Sequence, residues 1–258
     1  MDGTLLNDAF QLSSATKDAI ARVVARGVHF VLVSGRMRAS LMPFHEELCL
    51  TTPAICYNGA MIWDPTSKTV VSHTPIPYEV AQEILNLTEP EDLHVQYFWD
   101  DRFFAVKRTS WMELYESRTR LSGEIIPSLR EFGPNRLATK MQIIAEPDRV
   151  RSLVRDLSAR FNGRLYVTNT LPEYVEMMSP SVSKGAGLVV AGNRLGVPTE
   201  RMLVFGDAQN DETMFAVAGY SVAMGNARAD VRAKAHFVTA SNTNDGVAQA
   251  LDALGLLD

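Results

Sequence analysis

Short segments spread along the chain carry the residue types needed to hold a phosphate and a hard metal ion. Asp2-Gly3-Thr4 stands at the N-terminus, and Ser34-Gly35-Arg36 and Asn58-Gly59-Ala60 each follow an apolar run. Ser183-Lys184-Gly185 opens a helical pattern, and Gly206-Asp207-Ala208-Gln209-Asn210-Asp211 follows another apolar run. Asp2, Asp207 and Asp211 offer hard oxygens, the donors that Mg²⁺ selects. Ser34, the Gly35 amide and Lys184 offer a hydroxyl, an N–H and a cation for a phosphate. A helix start adds backbone N–H groups and a dipole that favours anions. A metal clamp beside a phosphate clamp describes phosphoryl transfer.

Each member alone has an ordinary structural reading. Asp2 reads as a terminal acid, Ser34-Gly35 as a turn and helix cap, and Asp211 as a first-turn acid. Lys184 reads as an exposed helix-start lysine whose loss leaves the fold intact. What sets the group apart is position, because every member but Asp2 follows a strand or opens a helix, and Asp2 would follow a strand if a segment lay upstream. In open α/β sheets, ligands bind beyond the carboxyl ends of the strands.

The elements that must place these residues alternate in type. Residues 14–25 read as a helix, and the continuous β-branched run 28–33 as a strand buried on both faces. Residues 36–48 are helical and 53–57 a second buried strand. The last third repeats the rhythm: helix 183–195, strand 201–205, helix 211–218, strand Tyr220–Ala223, helix 228–235, strand 236–238, helix 246–254. Such alternation predicts βαβ units and a doubly wound, Rossmann-like parallel sheet.

The middle differs. Strands 94–99 and 103–107 flank Asp100-Asp101-Arg102 as an antiparallel hairpin, with further strands at 139–145, 164–168 and 173–178. Helices 78–87, 110–121 and 148–161 lie between them. The expected organisation is an α/β core of residues 1–74 and 181–258, with an α+β cap, residues 75–180, inserted between its halves. The hairpin aromatics Tyr97, Phe98, Trp99, Phe103 and Phe104 read mostly as cap core.

Composition excludes other classes. Lys and Arg number 25 against 30 Asp and Glu, for a net charge of −5, so no surface built to neutralise nucleic-acid phosphates is expected. Two cysteines, Cys49 and Cys56, cannot form a disulfide framework and suit a reduced cytoplasmic protein. No apolar run reaches the ~18 residues a membrane helix needs, and the N-terminus carries no secretion signal.

The order Asp2-Gly3-Thr4-Leu5-Leu6, Ser34-Gly35-Arg36, Lys184-Gly185 and Gly206-Asp207-x-x-Asn210-Asp211 resembles the haloacid dehalogenase superfamily of phosphohydrolases. The likeness is to the Cof-type branch, whose cap sits between the second and third motifs. Asn58-Gly59, Met224-Gly225-Asn226-Ala227 and Asn244-Asp245-Gly246-Val247 resemble that branch too. The resemblance implies Mg²⁺-dependent hydrolysis of a small phosphorylated metabolite, a sugar phosphate by first choice, through an aspartyl-phosphate. It implies that Asp2 serves as acid and then base and ligates Mg²⁺ with Asp207 and Asp211. Ser34, Gly35, Lys184 and Asn210 would hold the phosphate, and Arg36, Asn58 and Gly59 would face the substrate or the cap.

The family motif is Asp-x-Asp-Gly-Thr, and Met1 stands at x. The nucleophilic Asp is therefore expected one residue before Met1, at the end of a short apolar upstream strand. The alternative is a homologue without a nucleophile that binds phosphometabolites without turning them over. Neither nucleic acid nor membrane is expected as a partner, and oligomeric state is not legible.

Overall fold

The computed structural model describes residues 1–258. Its chain folds into two compact units, one of Met1–Gly35, Leu41–Ser72 and Ser183–Asp258, the other of Arg36–Ser40 and His73–Val182.

The first unit begins with helix α1 (Ser14–Ala25), capped by Ser13, whose hydroxyl accepts the Thr16 N–H at 3.0 Å. It buries Ala19, Ile20 and Val23 along one face, the 3.6-residue spacing of an amphipathic helix. Helix α2 (Arg38–Glu47) follows the Ser34-Gly35 turn. Strand β1 (Ala54–Cys56) pairs antiparallel with β2 (Met61–Asp64), and β3 (Thr69–His73) completes that sheet. The sequence reading missed the β2–β3 hairpin, although its turn is chemically marked. Asp64 Oδ1 accepts the Thr66 and Ser67 N–H groups at 2.9 and 3.3 Å, an Asx turn.

Residues 28–33 do not form the expected strand buried on both faces. Only Val33 pairs, as a single parallel bridge to Ile55, and Val28 is 46% exposed. The segment is bonded along one edge alone, through Ile55 N–H to the Leu32 carbonyl and Ser34 N–H to the Ile55 carbonyl, each at 2.9 Å. A ladder on one side does not make a central strand.

The second unit contains α3 (Tyr78–Thr88), the hairpin β4 (His94–Trp99) and β5 (Arg102–Ala105), α4 (Ser110–Thr119), β6 (Glu124–Ile125), β7 (Lys140–Ile144), α5 (Pro147–Arg160), β8 (Tyr166–Thr168) and β9 (Tyr174–Met178). Its sheet runs β6-β5-β4-β7-β9-β8. One face presents Val95, Tyr97, Met141, Ile143, Val175 and Met177 to the apolar stripes of α3 and α5. The hairpin turns at Asp100 and Asp101, both at positive φ, as two-residue hairpin loops require. The aromatics around it are interior on both faces. Tyr97 stacks on Phe132 at 4.4 Å, while Phe98 and Phe103 meet the Tyr115 ring edge-on at 5.7 and 4.9 Å.

Arg36–Ser40 belongs to this second unit although it directly follows Ser34-Gly35. Arg38 Nε donates to Asp101 Oδ2 at 2.9 Å, and Ser40 Oγ donates to the Thr119 carbonyl at 3.4 Å.

The chain returns to the first unit through α6 (Lys184–Leu195), then β10 (Leu203–Gly206), α7 (Glu212–Phe215), β11 (Tyr220–Ala223), α8 (Ala229–Arg232), β12 (Phe237–Val238) and α9 (Gly246–Ala253). Strands β10, β11 and β12 are parallel, separated by helices as a doubly wound α/β sheet demands. The helix expected at 211–218 is a 3₁₀ turn, Gln209–Asp211, followed by the single turn α7. The Asp211 carboxylate explains the break.

Candidate active site

The N-terminal loop is wound around one carbonyl. Met1 O accepts the N–H groups of Thr4, Leu5 and Leu6 at 3.3, 2.8 and 3.0 Å. Gly3 takes φ +70°, and a Cβ there would lie 2.4 Å from an Asp207 carboxylate oxygen. Glycine is demanded twice, by conformation and by space. The next residue touches the same carboxylate: Thr4 Oγ1 donates to Asp207 Oδ1 at 2.5 Å. Asn226 Nδ2 donates to Gly3 O at 2.8 Å, and Asn242 Nδ2 donates to Leu6 O at 2.9 Å. Asn226 Oδ1 in turn accepts the Asn242 N–H at 3.0 Å. These two amides hold the loop from the far end of the chain.

Asp211 organises the turn after β10. Its Oδ2 accepts the N–H groups of Asp207 and Ala208, both at 3.0 Å, and its Oδ1 accepts Lys184 Nζ at 2.6 Å. The Lys184 and Asp211 side chains are 6% and 4% exposed. Burial pushes the Asp211 carboxyl up, but the Lys184 ammonium, the N-terminal charge and the hydrogen bonds from Lys184 and the Ala208 N–H together outweigh it and hold the group below the usual carboxylate range. Burial likewise lowers Lys184, yet the attraction of Asp211, with Asp207 and Asp2 behind it, leaves its pKa raised. Asp207 is pushed up, first by burial and then by the negative charge of Asp211.

Asn58 ties the Ser34 loop to this turn. It sits in the left-handed region at φ 55°, fully buried. Its N–H donates to the Ser34 carbonyl at 2.9 Å, and its Oδ1 accepts Asn210 Nδ2 at 3.0 Å. A Cβ on Gly35 would lie 3.1 Å from the Asn58 amide, and one on Gly59 only 2.3 Å from the Ser183 carbonyl. Hydrogen bonds and chain neighbours thus link Ser34 through Asn58, Asn210 and Asp211 to Lys184, and onward to Asp207 and Thr4. Arg36 Nη1 donates to Ser40 Oγ at 3.1 Å within the second unit.

One expectation changes. Lys184 is not an exposed helix-start lysine but half of a buried ion pair. Asp211 accepts hydrogen bonds from Lys184 and from the Asp207 and Ala208 N–H groups, and Asn210 Nδ2 donates to Asn58 while its buried Oδ1 has no partner. The sequence reading also gave no role to Thr4, Asn226 or Asn242. Thr4 and Asn226 lie inside noted motifs, whereas nothing around Asn242 marks it.

No three His, Cys, Asp or Glu side chains converge to form a complete metal cage. Mg²⁺ needs no such cage, since it binds through one or two carboxylates with water and substrate phosphate. The donors present fit that pattern: the buried Asp207 carboxylate and the buried, unpartnered Asn210 oxygen of the same turn.

Residues 1–251 match the family of haloacid dehalogenase-like hydrolases. The chain is 28% identical to the pyridoxal phosphate phosphatase of Escherichia coli over 256 residues, covering 96% of this chain and 94% of the relative. It is 31% identical to a 5-amino-6-(5-phospho-D-ribitylamino)uracil phosphatase of Bacillus subtilis, covering 97% and 92%. The crystal structure of the Thermotoga maritima protein TM0651 superposes with a TM-score of 0.86 at 33% identity, covering 98% and 94%. The strand-end network and these likenesses over nearly the whole length have one conclusion: the chain belongs to the haloacid dehalogenase-like hydrolases, among their phosphatases.

Proposed function

We propose that this phosphatase hydrolyses a small phosphorylated metabolite, a sugar phosphate by preference, in a Mg²⁺-dependent reaction through an aspartyl-phosphate. The observation that carries the reading is the buried Lys184–Asp211 pair at 2.6 Å. A lysine held charged by a buried carboxylate has two further N–H donors to give, and a phosphoryl group in transfer is the ligand that uses them. Ser34 and Gly35 add a hydroxyl and an N–H. The small phosphate esters named for the relatives support the substrate class. The unpaired Cys49 and Cys56 are in keeping with a reduced, cytoplasmic setting, and no helix is long and apolar enough to cross a membrane.

The nucleophile in this reading is an Asp joined to the Met1 nitrogen. That nitrogen is buried within electrostatic reach of Lys184, Asp211, Asp2 and Asp207, so a residue attached there enters the charged cluster. Its carboxylate attacks phosphorus, the ester P–O bond breaks, and Asp2 gives its proton to the leaving oxygen. Asp2 then takes a proton from water as the water attacks the same phosphorus, which frees inorganic phosphate and restores the carboxylate. Asp207 and the Asp2 backbone carbonyl would hold Mg²⁺, which offsets charge on the phosphoryl oxygens when bound. Residues 75–180 serve as the cap.

Phosphate release from a panel of monoesters tests this, using a chain extended by Asp before Met1. Turnover that needs Mg²⁺, stops in EDTA and is lost on changing the added Asp to Asn is expected. Undiminished turnover in either condition overturns the mechanism.

A further inference from the structure

Strand β1 turns into β2 through Tyr57-Asn58-Gly59-Ala60, closed by the Ala60 N–H on the Tyr57 carbonyl at 3.0 Å. Asn58 at φ 55° and Gly59 at φ 100° take the positive angles that a tight hairpin needs, and Asn-Gly is the pair that supplies them most readily. The turn accounts for both residue types but not for what the Asn58 side chain does. Turn residues ordinarily face solvent, whereas Asn58 is fully buried and its Oδ1 accepts Asn210 Nδ2, 152 positions away, at 3.0 Å. The preceding Tyr57 also stands in the left-handed region, at φ 51°, and is fully buried. A bulky side chain is strained there, and such strain persists where the surroundings over-determine the backbone near a working site.

Space as well as bonding holds the Asn58 amide in place. A Cβ on Gly35 would lie 3.1 Å from both its Nδ2 and its Oδ1, so the Ser34-Gly35 turn packs against the carboxamide, and the Asn58 N–H donates to the Ser34 carbonyl at 2.9 Å. Asn210 itself lies in the turn that Asp211 closes by accepting the Asp207 N–H. A carboxamide carries donors on one side and an acceptor on the other. With Nδ2 given to Asn58, Asn210 has its Oδ1 left, buried and without a partner. An acceptor serves a cation or a hydrogen-bond donor, not the oxygen of an ionised phosphate.

We infer that Asn58 is a positioning residue: by accepting Asn210 Nδ2 it keeps the Oδ1 side of that amide for the Mg²⁺ of the proposed reaction. It acts through Asn210 and is not itself a ligand. Without an acceptor at position 58, the Asn210 amide is free to turn over and offer a donor where a cation needs an oxygen. Groups that orient a ligand in this way set metal affinity. All the residues concerned lie in the first unit, and the inference rests on the Mg²⁺-dependent reading for the cation itself.

Calorimetric titration of the full chain with Mg²⁺, in the presence of inorganic phosphate, tests it. Asn58→Gly keeps the hairpin, since glycine takes the same backbone angles, and removes the acceptor. Mg²⁺ should then bind about tenfold more weakly. Asn58→Asp keeps both hairpin and acceptor, so most of the affinity should remain. Asn210→Ala should lose as much as Asn58→Gly, and combining the two should cost no more than Asn210→Ala alone. An asparagine that served only its turn would leave the affinity of Asn58→Gly unchanged. That result, or losses that add in the double variant, overturns the positioning role. Nuclear magnetic resonance of the unchanged chain gives a reading that needs no variant: the Asn210 Nδ2 protons should exchange slowly, and the side-chain amide signals should shift on Mg²⁺ binding. Rapid exchange, or no shift at saturating Mg²⁺, overturns the role as well. A chain that binds no Mg²⁺ at all overturns the metal-dependent reaction, and this inference with it.

Discussion

Thr4 and Asp207, 203 residues apart in sequence, share a hydrogen bond of 2.5 Å from the threonine hydroxyl to Oδ1 of the carboxylate. The bond fixes one oxygen of a buried carboxylate whose pKa burial and Asp211 already push up. The carboxylate is thereby oriented before any cation arrives, and the N-terminal loop is tied to the turn after β10.

Replacing Thr4 by Val keeps the shape and removes the donor. The loss costs about 1–3 kcal/mol of the interaction that keeps Asp207 ionised. We expect Mg²⁺ to bind roughly tenfold or more weakly, whereas Thr4→Ser retains most of the affinity. Metal titration followed by calorimetry checks both variants.

Lys184→Met should damage stability as well as phosphate binding. It strands Asp211, whose other oxygen still caps the turn, and breaking a buried pair on one side costs about 3–5 kcal/mol. Urea unfolding reads the first effect and phosphate titration the second. An unfolding midpoint equal to that of the unchanged chain contradicts the buried pairing. The double change Lys184→Met with Asp211→Asn should recover part of the stability and none of the phosphate binding.

Asp207→Asn removes the charge that would hold Mg²⁺ while keeping an acceptor for Thr4. Folding should be preserved or improved, since a buried charge beside Asp211 disappears. In the chain extended by Asp before Met1, Mg²⁺-dependent turnover should fall by at least 10²-fold. Thermal unfolding and phosphate release, measured with and without EDTA, separate the two outcomes.

Acid should destabilise the cap through His94. Burial, helped by the Lys107 charge, lowers this histidine from 6.5 to about 4, and its ring is bonded to Gln96 and Thr109. The unfolded chain takes up a proton near pH 6.5 that the folded one refuses until about pH 4. The stabilisation is therefore complete above pH 6.5 and is lost as pH falls toward 4, by about 3 kcal/mol at most. His45 and His73, both lowered by burial, act in the same direction. Urea midpoints from pH 7.5 to 4.5 should fall, with a shallower slope in His94→Gln.

Asn226→Ala removes one of two side chains that hold the N-terminal loop from the opposite end of the chain. Because Asn242 still bonds Leu6 O, the loop should loosen rather than detach. In the Asp-extended chain a several-fold fall in kcat with little change in KM is expected, and hydrogen exchange at Thr4–Leu6 should speed up.

Much of the fold was legible because its signals are local. Helix α1 follows from a serine cap and apolar residues at helical spacing, and β4 and β11 from short apolar runs bounded by turn residues. Most candidate residues were legible for the same reason, since all but Asp2 sit at the end of an apolar run or a helix start. Residues 28–33 show the limit: a β-branched run states a preference, but a strand forms only where a neighbour extends the ladder, and here only Val33 pairs.

The sequence by itself determined which groups are available: three aspartates, a lysine, a serine and the glycines that let backbone and carboxylate approach. Tertiary structure alone decided which of them meet. Nothing in the spacing of Lys184 and Asp211 says that one buries itself against the other. Nor does it say that Asp211 accepts the Asp207 and Ala208 N–H groups as well as Lys184, while Asp207 accepts the Thr4 hydroxyl. The same holds in the cap, where Gln96, Gln142 and Glu176 are scattered polar residues until strand register sets them in one row. The physical reason is common to all these cases. Burial and pairing set charge, pKa and hydrogen-bond need, and both depend on contacts between residues tens to hundreds of positions apart.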